Sequence, residues 1–371
     1  MKQVRIGLIG CGGQARHHMV EFSQVPRLNF VAASDVSAKH LAAVVNEYDV
    51  QGFNNVETML DSGLVDAVLI ATPHFFHPQY SIAALQRGLH VLTEKPVAVT
   101  AKAAREVNDV AAQRPDLVYA AIYQQRSHPK WKRIKQLIDD GEVGKIQRLQ
   151  WTATNWFRTQ AYYDSSPWRA TWGGEGGGIL VNQCPHNLDM LCWLVGPPKR
   201  VHAHVSLGKY HDIEVEDEVV AYLEYPGITT GLYITSTGEA PGTDRLEIIG
   251  DRGRLAISSL APSVIEFDQT EQSVSEFLKS STEWMTPPPV RRQLFATSPH
   301  VGIKTMLNNF VGAILDSEPL IAPASQGIHS VELANAILMS GLKSQPVNIP
   351  MDREAFDRLL QELINASGKT L

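Results

Sequence analysis

Short apolar runs alternate with helical patterns through the first third of the chain, from Val4 to about Ile122. The apolar runs are VRIGLIG, NFVAASD, DAVLIAT, HVLTEKP and LVYAAIY, and helices are predicted between them near 14–24, 38–47, 78–87 and 100–113. Continuously apolar strands that are separated by helices predict a parallel sheet covered on both faces. Because crossovers between parallel strands are right-handed, this part of the chain is predicted to be a doubly wound α/β domain.

The pattern changes after Tyr123. A helix is predicted near 129–139, and the strand KIQRLQWTAT follows it. The block 199–271 then carries longer segments in which apolar and polar residues alternate: RVHAHVSLGKY, DEVVAYLEY, TTGLYITST, DRLEIIG and GRLAISS. These segments predict a large, open, mostly antiparallel sheet with one buried face. Further helices are predicted near 300–315, 328–342 and 352–365, and TPPPVRRQ at 286–293 predicts an exposed loop or lid.

The length and charge of the chain limit its organisation and its partners. With 371 residues the chain is long enough for two α/β domains, which we place at 1–122 and 123–371. Its net charge of −6, without a basic run, gives no footprint for nucleic acid or an anionic membrane surface. We therefore expect a small-molecule partner.

The cysteine count and the start of the chain favour a cytoplasmic protein. Three cysteines without CxxC spacing fit a reducing compartment better than a disulfide framework or a zinc site, so no metal is predicted. The first residues, MKQVRIGLIG, predict a strand and not a signal peptide. No stretch is apolar for long enough to span a bilayer.

A glycine pattern follows the first predicted strand and opens a helix. In LIGCGGQA, Gly10, Gly12 and Ala15 match GxGxxG/A, and Gly13 and Gln14 complete the turn. The first glycine allows the tight turn, the second allows the backbone to approach a pyrophosphate, and the small third residue allows close helix packing. The helix N-terminus adds N–H donors and the positive end of a dipole. The pattern predicts a dinucleotide site of the Rossmann type.

Asp35 lies at the end of the second predicted strand, about 20 residues beyond Ala15. At this place a carboxylate hydrogen-bonds the adenosine ribose hydroxyls and repels a 2′-phosphate. Asp35 therefore favours NAD over NADP. A glycine turn with a solvated Asp and no ligand is the alternative, and the combined strand, turn and helix context argues against it.

Two further motifs carry candidate chemistry. The run HVLTEKP places Lys95 at the carboxyl end of a parallel strand, where such sheets bind ligands, and Pro96 restricts the backbone there. Taken alone, such a Lys is usually solvated. The downstream segment GEGGGILVNQCPHNLDMLCWL supplies Asn182 and His186 at an i, i+4 spacing, so a helix there would point both the same way. A neutral His is a suitable proton acceptor near pH 7. We expect Asp189 to be structural.

Together, the glycine fingerprint, EKP, and a glycine-rich segment ending in His-x-x-Asp resemble the Gfo/Idh/MocA (glucose–fructose oxidoreductase / inositol dehydrogenase) family. The resemblance covers essentially the whole chain. It implies a Rossmann domain followed by an α/β domain whose open sheet forms subunit contacts, and a homodimer or homotetramer. It also implies oxidation or reduction of a ring carbon of a sugar, inositol or related compound.

Carried over by position, Lys95 matches the active-site Lys of the family and His186 its catalytic His. Asn182 stands where many members have Asp, and because an amide cannot accept a proton, Asn182 becomes a substrate or nicotinamide positioner. The resemblance also implies cofactor contacts from Thr72, Pro73, His74, His77, Glu94 and Gln124.

The substrate-binding residues are expected among clustered aromatic and basic side chains. Four of the seven tryptophans lie between residues 151 and 172. Sugar CH faces pack on aromatic rings, and Arg can bind hydroxyl groups through its N–H donors. We therefore expect Trp156, Arg158 and Tyr163 to form a sugar platform, although each could equally pack the domain junction. Arg126 could also reach the substrate. The aromatic segment resembles family members that act on glycosides or anhydrosugars.

The resulting hypothesis is a NAD-dependent dehydrogenase of sugars or polyols. His186 and Lys95 would serve as the acid/base pair, and hydride would pass to nicotinamide C4. Two alternatives stay open: a glycosidase-type member that retains and re-reduces its NAD, and a non-catalytic member that senses ligands and regulates transcription through partner proteins.

Overall fold

The computed structural model describes residues 2–282, 284, 291–297 and 302–367. Its first sheet has six parallel strands in the order β3-β2-β1-β4-β5-β6. The strands are β1 (Val4–Ile9), β2 (Leu28–Ser34), β3 (Gln51–Phe53), β4 (Ala67–Ile70), β5 (His90–Thr93) and β6 (Tyr119–Ala121). This is the Rossmann strand order, with the ligand crevice expected beyond the carboxyl ends of the central strands. The predicted doubly wound domain is confirmed.

Five helices connect these strands: α1 (Gly13–Phe22), α2 (Ala38–Tyr48), α3 (Val56–Leu60), α4 (Phe76–Gln86) and α5 (Ala101–Ala112). The side chains of Ser37, Asn55 and Thr100 accept hydrogen bonds from the first turns of α2, α3 and α5. Such caps satisfy backbone donors that have no partner inside a helix. The short elements β3 and α3 were not predicted from the sequence.

The second sheet has nine strands in the order β14-β13-β12-β11-β7-β10-β9-β8-β15. They are β7 (Ile146–Ala153), β8 (Arg200–Leu207), β9 (Glu216–Glu224), β10 (Thr230–Ser236), β11 (Asp244–Gly250), β12 (Gly253–Ser258), β13 (Val264–Gln269), β14 (Arg291–Ala296) and β15 (Val347–Asn348). Only the β7–β10 pair is parallel, and the other neighbours are antiparallel. The predicted large, mostly antiparallel sheet is confirmed.

The helices of this half are α6 (Pro129–Asp139), α7 (Gln160–Asp164), α8 (Pro185–Val195), α9 (Val274–Ser280), α10 (Ile303–Asp316), α11 (Gly327–Lys343) and α12 (Arg353–Ser367), with 3₁₀ turns at Gln124–Ser127 and Ala324–Gln326. One sheet face packs in a core with α8 and α11. The other face is open: on β9, Val219 and Ala221 are buried, whereas Val220 and Tyr222 are 37% and 44% exposed.

The last third of the chain returns to the first domain. Leu307, Phe310 and Val311 of α10 are buried in the core that contains Ile6 and Leu8 of β1. The N–H of Ala121 also donates to the carbonyl of Ala322. The predicted division at 122/123 assigns every later residue to the second domain. Helix α10, however, packs in the core of the N-terminal domain.

The segment 286–293, predicted as a loop or lid, ends in a β-strand. Residues 291–293 begin the edge strand β14, where the backbone pairs on one side only with β13. The rest of that predicted segment, 286–290, lies outside the described residues. Throughout the described part of the chain, no helix combines the length and the apolar character that a membrane crossing requires.

Candidate active site

The glycine turn lies between β1 and α1 at the carboxyl edge of the parallel sheet. Gly10 has φ +88°, and a Cβ there would lie 2.9 Å from the carbonyl oxygen of Ala71, so a side chain is excluded. A Cβ on Gly12 or Gly13 would meet nothing within 4 Å. The first turn of α1 therefore faces open space, which fits the close approach of a pyrophosphate to backbone N–H groups.

Asp35 follows β2 and lies next to this turn. Its two carboxylate oxygens accept the N–H groups of Cys11 and Ser37, both at 2.6 Å. These bonds fix the carboxylate beside the glycine turn, where the ribose of a dinucleotide binds in this fold. Burial, with the nearby charge of Asp35, raises the pKa of the Cys11 thiol to about 12. Cys11 is therefore a small neutral packing residue.

Glu94 is the centre of a buried polar cluster below the glycine turn. One of its oxygens accepts Gln14 Nε2 at 3.0 Å and His18 Nε2 at 2.5 Å, and the other accepts the N–H of Lys95 at 2.9 Å. Burial disfavours the charged carboxylate, but the hydrogen bond and charge of His18, with the charge of Lys95, outweigh it and hold the pKa of Glu94 at about 2. Glu94 is thus an ionised anchor that links α1 to the Lys95 turn.

His18 was given no role from the sequence, yet it is 4% exposed and bonded to Glu94. The available signal was its spacing: His18 lies four residues after Gln14, and residues at i and i+4 share a helix face. Both side chains reach the same Glu94 oxygen.

Of the residues that follow β4, Thr72 lies beside the glycine turn, whereas His77 is buried. Thr72 and Pro73 are half-buried, and Thr72 Cγ2 would lie 3.0 Å from a Cβ on Gly10, so this turn borders the dinucleotide groove. His77 is buried, with Nδ1 2.7 Å from the carbonyl oxygen of Pro96 and Nε2 2.8 Å from that of Thr72. The expected cofactor contact of His77 does not fit this position, because both ring nitrogens already join the two turns.

His74 is also buried, but its Nδ1 has no hydrogen-bond partner among the described residues. Its ring packs edge-on against His77 and against Trp168, with centroids 5.8 and 6.1 Å apart. Burial, reinforced by the charge of His77, holds the pKa of His74 well below its usual value. Gln124 begins the turn after β6 at the same sheet edge. Its buried Oε1 has no hydrogen-bond partner among the residues that the structure describes.

Lys95 links the two halves of the molecule. It precedes a cis peptide bond to Pro96, and its Nζ donates to the backbone carbonyl of Asn182 at 2.7 Å. Burial lowers the pKa of the Lys95 ammonium, and the charges of Glu94 and Glu175 oppose that shift. An ammonium group has three N–H donors, so two remain for a ligand.

The glycine-rich segment is held by a buried carboxylate of β9. Glu216 accepts the N–H groups of Gly178 at 2.9 Å and Leu180 at 3.0 Å, and its own carbonyl accepts the N–H of Ile179. A Cβ on Gly178 would lie 2.1 Å from the backbone oxygen of Glu216, so only glycine allows this approach. Burial raises the pKa of Glu216 to about 7, although these N–H groups favour its charged form.

This segment leads to Asn182 and His186. Helix α8 begins at Pro185, so Asn182 lies in the preceding turn and the two residues do not share one helix. The His186 ring is half-buried and packs edge-on to Tyr123, with centroids 6.2 Å apart. Tyr123 follows β6, and Lys95 lies two residues beyond the neighbouring strand β5, so the structure brings His186 and Lys95 to the same sheet edge.

Arg126 does not belong to the substrate surface. Its guanidinium is 3% exposed and binds both oxygens of Asp189, at 2.9 and 2.6 Å, and also the side-chain oxygen of Gln326. The expected substrate contact is unsupported, because these bonds already use three guanidinium nitrogens. Asp189 is structural as expected, since it binds Arg126.

The aromatic platform is also rearranged. Tyr163 is 6% exposed and donates its hydroxyl to Thr237 at 3.0 Å, so it packs in the core and does not fit the expected substrate contact. The adjacent Tyr162 has the guanidinium groups of Arg158 and Arg169 5.0 and 4.5 Å from its ring centroid. Trp156 is half-buried, and Arg158 lies 6.0 Å from its ring centroid. Tyr162 and Arg169 belong to the same cluster of aromatic and basic residues in the sequence, but they were not assigned to the expected platform.

No group of three or more His, Cys, Asp or Glu side chains within the described ranges is arranged to hold a metal ion.

Comparisons with known proteins agree with this architecture. Residues 4–122 match the family model described as "Oxidoreductase family, NAD-binding Rossmann fold", and residues 131–256 match the "GFO/IDH/MocA C-terminal domain". Levoglucosan dehydrogenase of Pseudarthrobacter phenanthrenivorans is 24% identical over 294 residues, 70% of this chain and 74% of that protein. Inositol 2-dehydrogenase of Corynebacterium glutamicum (strain R) is 25% identical over 198 residues, 53% of this chain and 55% of that protein.

A solved structure extends the match in fold. The WlbA dehydrogenase of Chromobacterium violaceum, in complex with NADH and UDP-GlcNAcA, superimposes with a TM-score of 0.82 and 24% identity. The superposition covers 95% of this chain and 97% of that one.

Proposed function

The chain belongs to the Gfo/Idh/MocA oxidoreductase family, with an N-terminal NAD-binding Rossmann domain, and from that premise we propose that it is a NAD-dependent dehydrogenase of a ring hydroxyl in a sugar, glycoside or inositol. The observation that carries the proposal is the Lys95 ammonium, which is bonded to the Asn182 carbonyl at the carboxyl edge of the Rossmann sheet. His186 lies one turn beyond Asn182, at the same edge.

The residues around the glycine turn fit a dinucleotide. Gly12 and Gly13 leave the start of α1 open to a pyrophosphate, and Asp35 is fixed beside them as a ribose acceptor. Thr72 borders the groove beside Gly10, and Gln124 begins the turn after β6 at the same edge of the sheet. When bound, NAD⁺ supplies the hydride acceptor. The Asp35 carboxylate would repel the 2′-phosphate of NADP, so we favour NAD.

Lys95 and His186 divide the proton chemistry. A substrate hydroxyl placed on the two remaining donors of Lys95 would have its oxygen beside a positive charge, which favours loss of the hydroxyl proton. His186 then accepts that proton, because a neutral imidazole is a suitable general base near pH 7. The lowered pKa of Lys95 makes its own proton easier to donate when the reaction runs towards reduction.

The substrate domain offers a surface of mixed apolar and basic character. Trp156 is half-buried beside Arg158, and Asn182 provides an amide near Lys95. Rings and N–H donors of this kind bind the CH face and the hydroxyl groups of a pyranose or cyclitol. The similarity to levoglucosan dehydrogenase and inositol 2-dehydrogenase supports the same substrate class.

The test is a substrate panel combined with single substitutions. Inositols, monosaccharides, glycosides and anhydrosugars are assayed with NAD⁺ and NADP⁺ for absorbance of the reduced cofactor. Lys95→Ala and His186→Ala should keep NADH binding, measured by fluorescence titration, and should lose roughly 10²- to 10⁴-fold in kcat. Lys102→Ala is the matched control, since Lys102 pairs with Glu354 on the surface.

Turnover at the wild-type rate in either site variant would refute the assigned roles. Aglycone release without net NADH would instead identify the glycosidase-type reaction. Binding of a sugar without any turnover would identify a ligand sensor.

A further inference from the structure

Glu175 is a buried carboxylate between the aromatic segment and the catalytic segment. It is 2% exposed, and one of its oxygens accepts the N–H of Ala170 at 2.6 Å. The other oxygen accepts the side-chain amide of Asn182, and the same oxygen is 3.9 Å from Arg169 Nη1. Both oxygens are therefore used, and the orientation of the carboxylate is fixed.

These contacts determine the orientation of Asn182. Because its Nδ2 donates one N–H to Glu175, the amide is fixed in one orientation, and its Oδ1 acceptor and the second N–H of Nδ2 remain for a ligand. The backbone carbonyl of the same residue accepts the Lys95 ammonium. Asn182 is thus hydrogen-bonded to the Glu175 carboxylate through its side chain and to the Lys95 ammonium through its backbone carbonyl.

Two carboxylates, Glu94 and Glu175, act on the Lys95 ammonium, and they differ in their own partners. Glu94, Glu175 and Arg158 are the charged groups that act on the Lys95 ammonium, with the Cys184 thiol also near. Glu94 is already bonded to His18 and Gln14. The ion pair of Glu175 with Arg169 is longer, with Arg169 Nη1 3.9 Å from the Glu175 oxygen.

We propose that Glu175 is the positioning carboxylate of this site: it orients Asn182 and supplies, one hydrogen bond away, the negative charge that the amide at position 182 cannot carry. Glu175 acts on Lys95 through Asn182. Its effect on turnover rests on the proposed dehydrogenase function, whereas its effect on Lys95 does not.

The test exchanges the carboxylate between positions 175 and 182, which share the hydrogen bond. Glu175→Gln removes the carboxylate, Asn182→Asp adds one beside Lys95, and the double variant E175Q/N182D places the carboxylate at 182 with an amide donor at 175. Glu214→Gln is the matched control, because Glu214 also accepts a backbone N–H of this loop, that of Trp172 at 2.6 Å.

The readout is the titration of Lys95 itself, which needs no substrate. Competitive acetylation with acetic anhydride over a pH series, quantified by mass spectrometry of the Lys95 peptide, gives the pKa of that amine. We expect E175Q to lower the pKa of Lys95 by roughly one unit, N182D to raise it, and the double variant to return it close to the wild-type value. E214Q should leave it unchanged, and NADH binding in all four variants verifies folding.

The proposal would be overturned if the pKa of Lys95 were unchanged in E175Q, or if the pKa of Lys95 in the double variant stayed as low as in E175Q. If the substrate panel yields an active sugar, kcat should fall in E175Q and recover in the double variant, with the pH profile following the Lys95 titration. A negative panel would contradict the dehydrogenase function alone, because the Lys95 titration is read without turnover.

Discussion

The buried carboxylate of Glu216 gives the C-terminal domain a pH-dependent stability. Glu216 is fully buried in β9 and holds the N–H groups of Gly178 and Leu180, and burial raises its pKa from 4.5 to about 7. The folded state thus binds this proton more tightly than the unfolded state does. The contribution of Glu216 to the free energy of unfolding is largest below pH 4.5 and is lost as the pH rises through 7.

The pKa shift of Glu216 sets the size of its contribution to the free energy of unfolding. One pKa unit corresponds to about 1.4 kcal/mol, so a rise from 4.5 to about 7 amounts to about 3 kcal/mol across this window. Glu216→Gln keeps the shape and stays neutral at every pH. Other titrating groups affect both proteins alike, so the free energy of unfolding of the wild type minus that of E216Q should fall by about 3 kcal/mol between pH 4.5 and 8.

Urea denaturation followed by tryptophan fluorescence measures this difference. All seven tryptophans lie beyond residue 130, so the signal reports on the C-terminal part of the chain. Glu224→Gln is the control on the same strand, because Glu224 pairs with Arg200 at the surface. Parallel stability curves for wild type and E216Q across this pH range would refute the reasoning.

Two further substitutions test the cofactor site and the buried ion pair. Asp35→Ser should weaken NAD binding roughly tenfold and reduce the preference for NAD over NADP, because the repulsion of a 2′-phosphate is lost; an unchanged ratio of the two Kd values from fluorescence titration would contradict this. Arg126→Met and Asp189→Leu should each lower the free energy of unfolding by about 3–5 kcal/mol, and the double variant by less than either. Additive losses in urea denaturation would show that the two side chains do not depend on each other.

The fold was predictable where one local pattern decides it. Buried parallel strands are continuously apolar, and β1 and β5 are of this kind. The strand β3 was missed because QGF is a three-residue edge strand without an apolar pattern. The place of α10 was missed for another reason: its apolar face is visible in the sequence, but which core it joins is decided by contacts with β1 about 300 residues earlier.

The site was predictable at the level of motifs and less so for individual side chains. The glycine turn and Lys95 were found because their chemistry depends on local geometry. Arg126 was misplaced because its partner Asp189 is 63 residues away in the sequence. Tyr162 and Tyr163 are adjacent in the short helix α7, and the sequence does not show which of them faces the core.

Glu94, Glu175 and Glu216 are buried carboxylates bonded to the Lys95 turn or the glycine-rich segment, and their different environments explain their different pKa shifts. Glu94 and Glu216 are both buried, and both accept N–H donors. Only Glu94 also has a hydrogen bond from His18 and the charge of Lys95 to lower its pKa, and the pKa values are about 2 for Glu94 and about 7 for Glu216. Hydrogen bonds from neutral N–H groups therefore do not keep Glu216 fully ionised near neutrality, whereas nearby cations keep Glu94 charged. Glu175, with Arg169 and Lys95 as its cations, has a raised pKa as well, since burial is the larger effect. The charge on Glu175 is consequently the one that a change at Asn182 or Lys95 would alter most readily.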